Sequence, residues 1–214
     1  MKNVVVLSLG TAALLTANSV SAEPAPAPIA IKSVDYSGTG CADGSVTVDI
    51  APDGGAFTVI YSDFLAQIGP GVARALGQRE CNIKIGLDVP AGITYAVMAV
   101  DYRGYASIAP GAVGSHRAVY HFQGEQPLRS RWTEFSGPAE DDWHVHEDAD
   151  VRVFKKCGQD RKVQIKTELK LDKGTSAPSD GSYMTMDSTD GEIRDTYVLA
   201  WKTCNGNGNG NGNH

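Results

Sequence analysis

Glu140-Asp141-Asp142-Trp143-His144-Val145-His146-Glu147-Asp148-Ala149-Asp150 is the stretch best equipped for chemistry, because it sets two histidines two positions apart in a run of carboxylates. In an extended backbone alternate side chains share a side. His144 and His146 then project together and can share one metal ion with help from Asp142 or Asp148. Imidazole and carboxylate donors suit zinc, copper or manganese. The competing reading is a solvated acidic loop leading into a strand at Val151, with Trp143 and Val145 covering the core from the alternate side. A His-x-His pair is a weak signal, so the expectation is no cofactor, with a divalent metal at these four side chains as the alternative.

Asp101-Tyr102-Arg103-Gly104-Tyr105 gathers an acid, a base and two aromatics in five residues. As a binding hairpin it would stack Tyr102 and Tyr105 on a sugar or peptide while Asp101 and Arg103 hydrogen-bond it. As a structural hairpin it would pair Asp101 with Arg103 across the turn and pack the tyrosines on neighbours. A second acidic group, Asp187, Asp190, Glu192 and Asp195, has the donors for calcium but not the spacing of a dedicated loop, and Asp190-Gly191 reads as a hairpin turn. No catalytic residues stand out. There is no Gly-x-Ser-x-Gly elbow, and Ser115 and His116 are strand neighbours that point to opposite faces. The 25 acidic residues always offer some carboxylate pair for glycoside hydrolysis, but nothing in the sequence selects one.

The elements that must hold these residues are strands. Val163, Ile165, Thr167, Leu169 and Leu171 alternate with Lys162, Gln164, Lys166, Glu168 and Lys170, the pattern of a strand with one wet face. Cys81, Ile83, Ile85 and Leu87 alternate in the same way, as do Val46, Val48 and Ile50. Further strands are expected at Ile29–Tyr36, Phe57–Tyr61, Ile93–Tyr102, Tyr105–Ala109, Ser115–Gln123, Arg131–Phe135, Val151–Lys155, Tyr183–Asp187 and Thr196–Lys202. Turn residues such as Pro52-Asp53-Gly54-Gly55, Pro90-Ala91-Gly92, Arg103-Gly104 and Pro110-Gly111 separate them. Phe64–Ile68 and Val72–Leu76 offer a turn of helix at most. The predicted fold is all-β: an antiparallel β-sandwich of about a dozen short strands.

Residues 1–22 read as a secretory signal peptide, with Lys2 as its positive start, an apolar Val4–Thr16 and small residues at Val20-Ser21-Ala22. The apolar run of about 13 residues is short against the roughly 20 needed to span a bilayer. The mature chain is then not membrane-spanning and is secreted, to the extracellular medium or, in a Gram-negative host, the periplasm or cell surface. Residues 23–28 form a Pro/Ala spacer, 29–204 a single β-sandwich domain and 205–214 a disordered Asn/Gly tail. The net charge of −6 becomes −7 once Lys2 is removed, and the interspersed acids and bases argue against a nucleic-acid partner. An extracellular carbohydrate, surface polymer or protein is the partner class that remains.

Cys41, Cys81, Cys157 and Cys204 allow three disulfide connectivities, which the sequence alone does not separate. The sequential pairing is preferred; each bridge would close about 40 to 50 residues and contribute about 3 to 4 kcal/mol in the chain-entropy model. The cysteines sit inside longer motifs: Tyr36-Ser37-Gly38-Thr39-Gly40-Cys41 with Gly44-Ser45-Val46, Ile68-Gly69-Pro70-Gly71, Cys81-Asn82-Ile83, Pro90-Ala91-Gly92, Val100-Asp101-Tyr102-Arg103-Gly104-Tyr105 and Leu199-Ala200-Trp201-Lys202-Thr203-Cys204. In order and spacing from Lys32 to Cys204, the set resembles the secreted domain-of-unknown-function family 4360 of fungi and bacteria. The resemblance implies a disulfide-bonded, mostly β extracellular protein and carries no catalytic residues. The functional expectation is a non-enzymatic extracellular binding or surface module. The alternative is a metal-dependent or hydrolytic enzyme using residues 140–150.

Overall fold

Alternating side chains build two antiparallel sheets in the computed structural model, which describes residues 25–127, 130, 132–149, 153–186 and 194–204. Twelve strands are present among them: β1 (Ala30–Ser37), β2 (Val46–Ile50), β3 (Ala56–Tyr61), β4 (Leu65–Ile68), β5 (Gln78–Asp88), β6 (Ile93–Ile108), β7 (Val113–Phe122), β8 (Thr133–Ser136), β9 (Ala139–Asp148), β10 (Val163–Asp172), β11 (Ser182–Thr185) and β12 (Asp195–Thr203). The smaller sheet runs β1-β5-β10-β7-β8. The larger runs β2-β3-β12-β6-β11-β4, with β9 paired to β6 as well. The expected all-β sandwich is the observed fold. The signal segment 1–22, Val151, Asp187, Asp190, Glu192 and the tail 205–214 lie outside the described residues.

Three local expectations are corrected. Arg103-Gly104 is not a turn: Ile93–Tyr102 and Tyr105–Ala109 fuse into β6, a strand of 16 residues. Gly104 belongs in a strand because the Trp143 ring and the Thr185 carbonyl oxygen occupy the space where a Cβ would sit. Phe64–Ile68 is extended and pairs as β4 with β11, whereas Arg74–Gly77 does form a short 3-10 turn. The acidic segment is a strand, β9, and residues 153–155 beyond it are irregular instead of continuing as a strand.

A bulge lets β6 serve the core along its whole length. The register of β6 against β12 slips between Val198 and Leu199, leaving Met98 as the extra residue. Before it the odd positions Tyr95 and Val97 face inward, and after it the even positions Val100 and Tyr102 do. Rings then bridge the two sheets: Tyr95 meets Phe122 edge-on at 5.3 Å, Tyr102 lies on His116 at 4.8 Å, and Tyr197 meets Tyr120 at 6.2 Å. Such offset and edge contacts are the arrangements that ring quadrupoles favour.

Both disulfides follow the sequential pairing. Cys41–Cys81 (S–S 2.04 Å) is buried and ties the loop before β2 to the inner face of β5. Cys157–Cys204 (S–S 1.97 Å) is more open and fastens the end of β12 to the irregular segment before β10. Exchange requires a thiolate to reach sulfur. Mild reduction of the folded protein followed by alkylation is therefore expected to label Cys157 and Cys204 before Cys41 and Cys81. The reverse order in peptide mapping would contradict the burial argument.

Two buried titratable groups give opposing contributions to the pH dependence of stability. Burial pushes the Asp195 carboxyl well above the ordinary carboxylate range, against smaller opposing effects of hydrogen bonds from Tyr61 Oη (3.2 Å) and the Arg103 backbone, so the fold favours its protonated form. Burial pushes His116 down to about 3, so it stays neutral. In the unfolded chain the first ionises near pH 4 and the second near pH 6.5. Stability from Asp195 is complete below about pH 4 and is lost as pH rises toward its folded value. Stability from His116 is complete above about pH 6.5 and is lost as pH falls toward 3. From about pH 4 to 6.5 the two slopes oppose and leave a plateau. Above that window the loss from Asp195 continues, at up to about 1.4 kcal/mol per pH unit, and the exposed His146, whose proton Asp101 holds above the usual imidazole range, adds a smaller loss of the same sign. Chemical denaturation between pH 4 and 9 is expected to show the plateau and the decline, and Asp195→Asn is expected to flatten the decline. An unchanged slope in that variant would rule Asp195 out as its source.

Candidate functional site

Strand parity decides which predicted residues reach solvent. On β6 after the bulge, Asp101, Arg103, Tyr105 and Ser107 point outward, while Tyr102 is fully buried. Tyr102 therefore cannot contact a ligand, and the proposed quartet of Asp101, Tyr102, Arg103 and Tyr105 reduces to three. On β9, Glu140, Asp142, His144, His146 and Asp148 point outward, and Trp143 and Val145 pack into the core as expected. Register fixes the neighbours: Asp101 stands opposite His146, Arg103 opposite His144, and Tyr105 opposite Asp142.

Asp101 is the centre of the polar part of this face. A single oxygen, Oδ1, accepts from His144 Nε2 at 2.7 Å and from His146 Nδ1 at 2.9 Å. The other ring nitrogen of His146 lies 3.3 Å from Asp148 Oδ1. Partial burial raises the Asp101 carboxyl, but the hydrogen bonds from His146 and His144 outweigh it and hold the group below its ordinary value. The hydrogen bond to Asp101 raises His146 above the usual imidazole range, with Asp148 adding to it. The structure thus brings the two histidines together as predicted, but the acid between them is Asp101. Asp142 lies beside Tyr105 instead. Among the described residues no three His, Cys, Asp or Glu side chains form a ready-made metal cage.

Next to this cluster the face turns aromatic. Tyr105 stacks on Tyr183 from the neighbouring strand β11, with ring centroids 5.9 Å apart and planes 28° from parallel. Tyr183 is 41% exposed, unusual for a side chain of its size in this protein. Thr185 pairs with Tyr105 and Gln67 with Tyr183, so polar side chains border the rings. Sequence reading placed Tyr183 in a strand without assigning it to a site. Its proximity to Tyr105 depends on a contact 78 residues away along the chain that no local pattern announces. Of the proposed calcium group, Asp195 is fully buried beneath Tyr61, which removes it as a ligand.

The opposite outer face is different in kind. Lys166 bridges Glu80 (2.8 Å) and Glu168 (3.4 Å), and Glu168 also accepts from Arg117 Nε at 2.9 Å. Arg117 in turn lies 4.5 Å over the Trp132 ring. These charges satisfy one another. An apolar cavity lined by Val97, Tyr120, His121, Phe122, Val153 and Val163 has an interior of about 20 Å³, too small for a sugar ring.

An exported, disulfide-bonded antiparallel β-sandwich with one polar and aromatic strand face is the class these features define. The chain belongs to the family described as "Domain of unknown function (DUF4360)", which it matches over residues 27–204. A relative, an "Uncharacterized secreted protein" of Arthroderma benhamiae, is 32% identical over 183 residues, covering 85% of this chain and 74% of the relative. The protein is secreted, in keeping with its closed disulfides. Among solved structures, TmCBM61 in complex with beta-1,4-galactotriose covers 80% of this chain and 89% of its own at 12% identity and a TM-score of 0.30. The enzymatically active domain of bacteriophage CBA120 tailspike protein 4 covers 78% of this chain and 19% of its own at 11% identity and a TM-score of 0.26. Both likenesses are too distant to bear on a ligand.

Gly104 is what allows Trp143 to lie flat beneath this face. Gly104→Ala is expected to destabilise the protein by about 1 to 3 kcal/mol or more, because one wall of the collision is backbone and cannot move aside. Denaturant melts of wild type and variant would measure it. A loss within a few tenths of a kcal/mol would show that the strand yields freely.

Proposed function

We propose that the protein is a non-enzymatic extracellular binding module that takes a carbohydrate polymer across the outer face of its larger sheet. The observation that carries this reading is the Tyr105–Tyr183 stack on the outer face of β6 and β11, bordered by hydrogen-bonding side chains. Sugar rings present apolar C–H faces that pack on aromatic rings, and their hydroxyls need donors and acceptors around the rim; tyrosine supplies both. A hydrolase would instead need a concavity where several polar groups converge. The outward exposure of Tyr183 on a strand face favours binding over turnover.

Pull-down of the secreted protein on a panel of insoluble polysaccharides, followed by titration with soluble oligomers of any hit, tests the reading. Tyr183→Ala and Tyr105→Ala are each expected to weaken binding about tenfold, corresponding to roughly 1.4 kcal/mol, with little change in melting temperature. Undiminished binding by the double variant would move the ligand elsewhere. Release of shortened oligomers by wild type would favour the enzyme alternative.

A further inference from the structure

We infer that Asp101, His144 and His146 together bind a divalent transition-metal ion of the zinc and copper class on the outer face of β6 and β9. Two imidazole nitrogens and a carboxylate oxygen are the donor set such ions prefer, and three protein ligands with open positions is a recurring arrangement for an accessible ion. The three come from two strands whose register holds Asp101 against His146, and alternation places His144 on the same side. Both imidazole nitrogens already converge on one carboxylate oxygen, at 2.7 and 2.9 Å.

As they stand, the three donors are hydrogen-bonded to one another and do not form a metal-holding group. The adjustment required is small. Ligands about 2.1 Å from a tetrahedral ion lie roughly 3.4 Å apart, so each nitrogen must withdraw from the Asp101 oxygen by about half an ångström. Both rings are exposed and free to make that movement. Binding displaces the two protons that His144 Nε2 and His146 Nδ1 give to Asp101; each leaves for water or is replaced by a proton on the other ring nitrogen. His144 then ligates through Nε2 with its proton on Nδ1. His146 ligates through Nδ1 with its proton on Nε2, where Asp148 Oδ1 at 3.3 Å accepts it. A carboxylate behind the distal nitrogen is the support that metal-bound histidines ordinarily have. Asp142, paired with Tyr105, takes no part.

Calorimetric titration of the full secreted chain with zinc chloride in a non-coordinating buffer is expected to show one ion per chain. His144→Ala, His146→Ala and Asp101→Asn should each weaken binding about tenfold or more, Asp148→Asn by a lesser factor, and Asp142→Asn not at all. Copper(II) bound at the same site should give an electron paramagnetic spectrum with coupling to two nitrogens, reduced to one in either histidine variant. The histidines are exposed, so their variants carry the test whether or not Asp101→Asn folds. Absence of one-to-one binding at millimolar zinc overturns the inference, as does binding that survives the double histidine variant. The outcome is independent of the tyrosine variants, so this site and the carbohydrate reading succeed or fail separately.

Discussion

The pairing of β6 along both its edges is the constraint on which the rest of this structure depends. β12 and β11 share one edge in succession, and β9 takes the other from Ala99 to Ile108. A strand held this way cannot slide, because a slip of one residue would exchange Tyr102 for Asp101 in the core. The bulge at Met98 then becomes the point at which the chain corrects its own parity. Without it, a 16-residue strand could not place Tyr95 and Tyr102 on the same side.

That constraint links the core to the outer face. Trp143 packs on His116 (5.0 Å) and Phe135 (5.5 Å), and its flat seat against Gly104 draws β9 close to β6. The residues directly beyond Trp143 in β9 are thereby set opposite Asp101 by backbone pairing, and the hydrogen bonds from His144 and His146 to its carboxylate add to it. A core contact on one side of the sheet thus fixes a polar contact on the other. Burial favours the neutral form of both His116 and Asp195 in the layer beneath the site.

Much of the architecture was legible because period-two alternation is a local property. Val163–Leu171 shows it in the sequence and forms β10 with the same residues inward. Other features were hidden for specific reasons. Arg103-Gly104 carries the composition of a turn, and only the Trp143 ring, 39 positions away, shows that this glycine makes room instead of a bend. The acidic residues of β9 argued for a loop, since nothing local distinguishes a charged edge strand from solvated coil. The candidate site was half visible: the shared side of His144 and His146 follows from spacing, whereas Asp101 and Tyr183 enter through strand order, which spacing does not encode. Alternation alone would have removed Tyr102 from the binding group, because it cannot share a face with Asp101, Arg103 and Tyr105.

The two outer faces differ in how their charge is balanced, and that difference argues for where a ligand belongs. On the smaller sheet, Lys166 and Arg117 converge on Glu168 under a tryptophan, so a ligand arriving there must break existing pairs before it gains any. On the larger sheet, the balance is struck by hydrogen bonds from imidazoles to a carboxylate, and those bonds can be exchanged for bonds to a ligand or an ion at little cost. The exposed Tyr183, stacked on the half-buried Tyr105, extends the same surface with aromatic area. Disulfides at the inner face of β5 and the end of β12 hold the sheets, so the face is presented already formed and binding need not pay to order it. For a secreted protein, a preorganised surface of this kind is the feature through which recognition is most readily built.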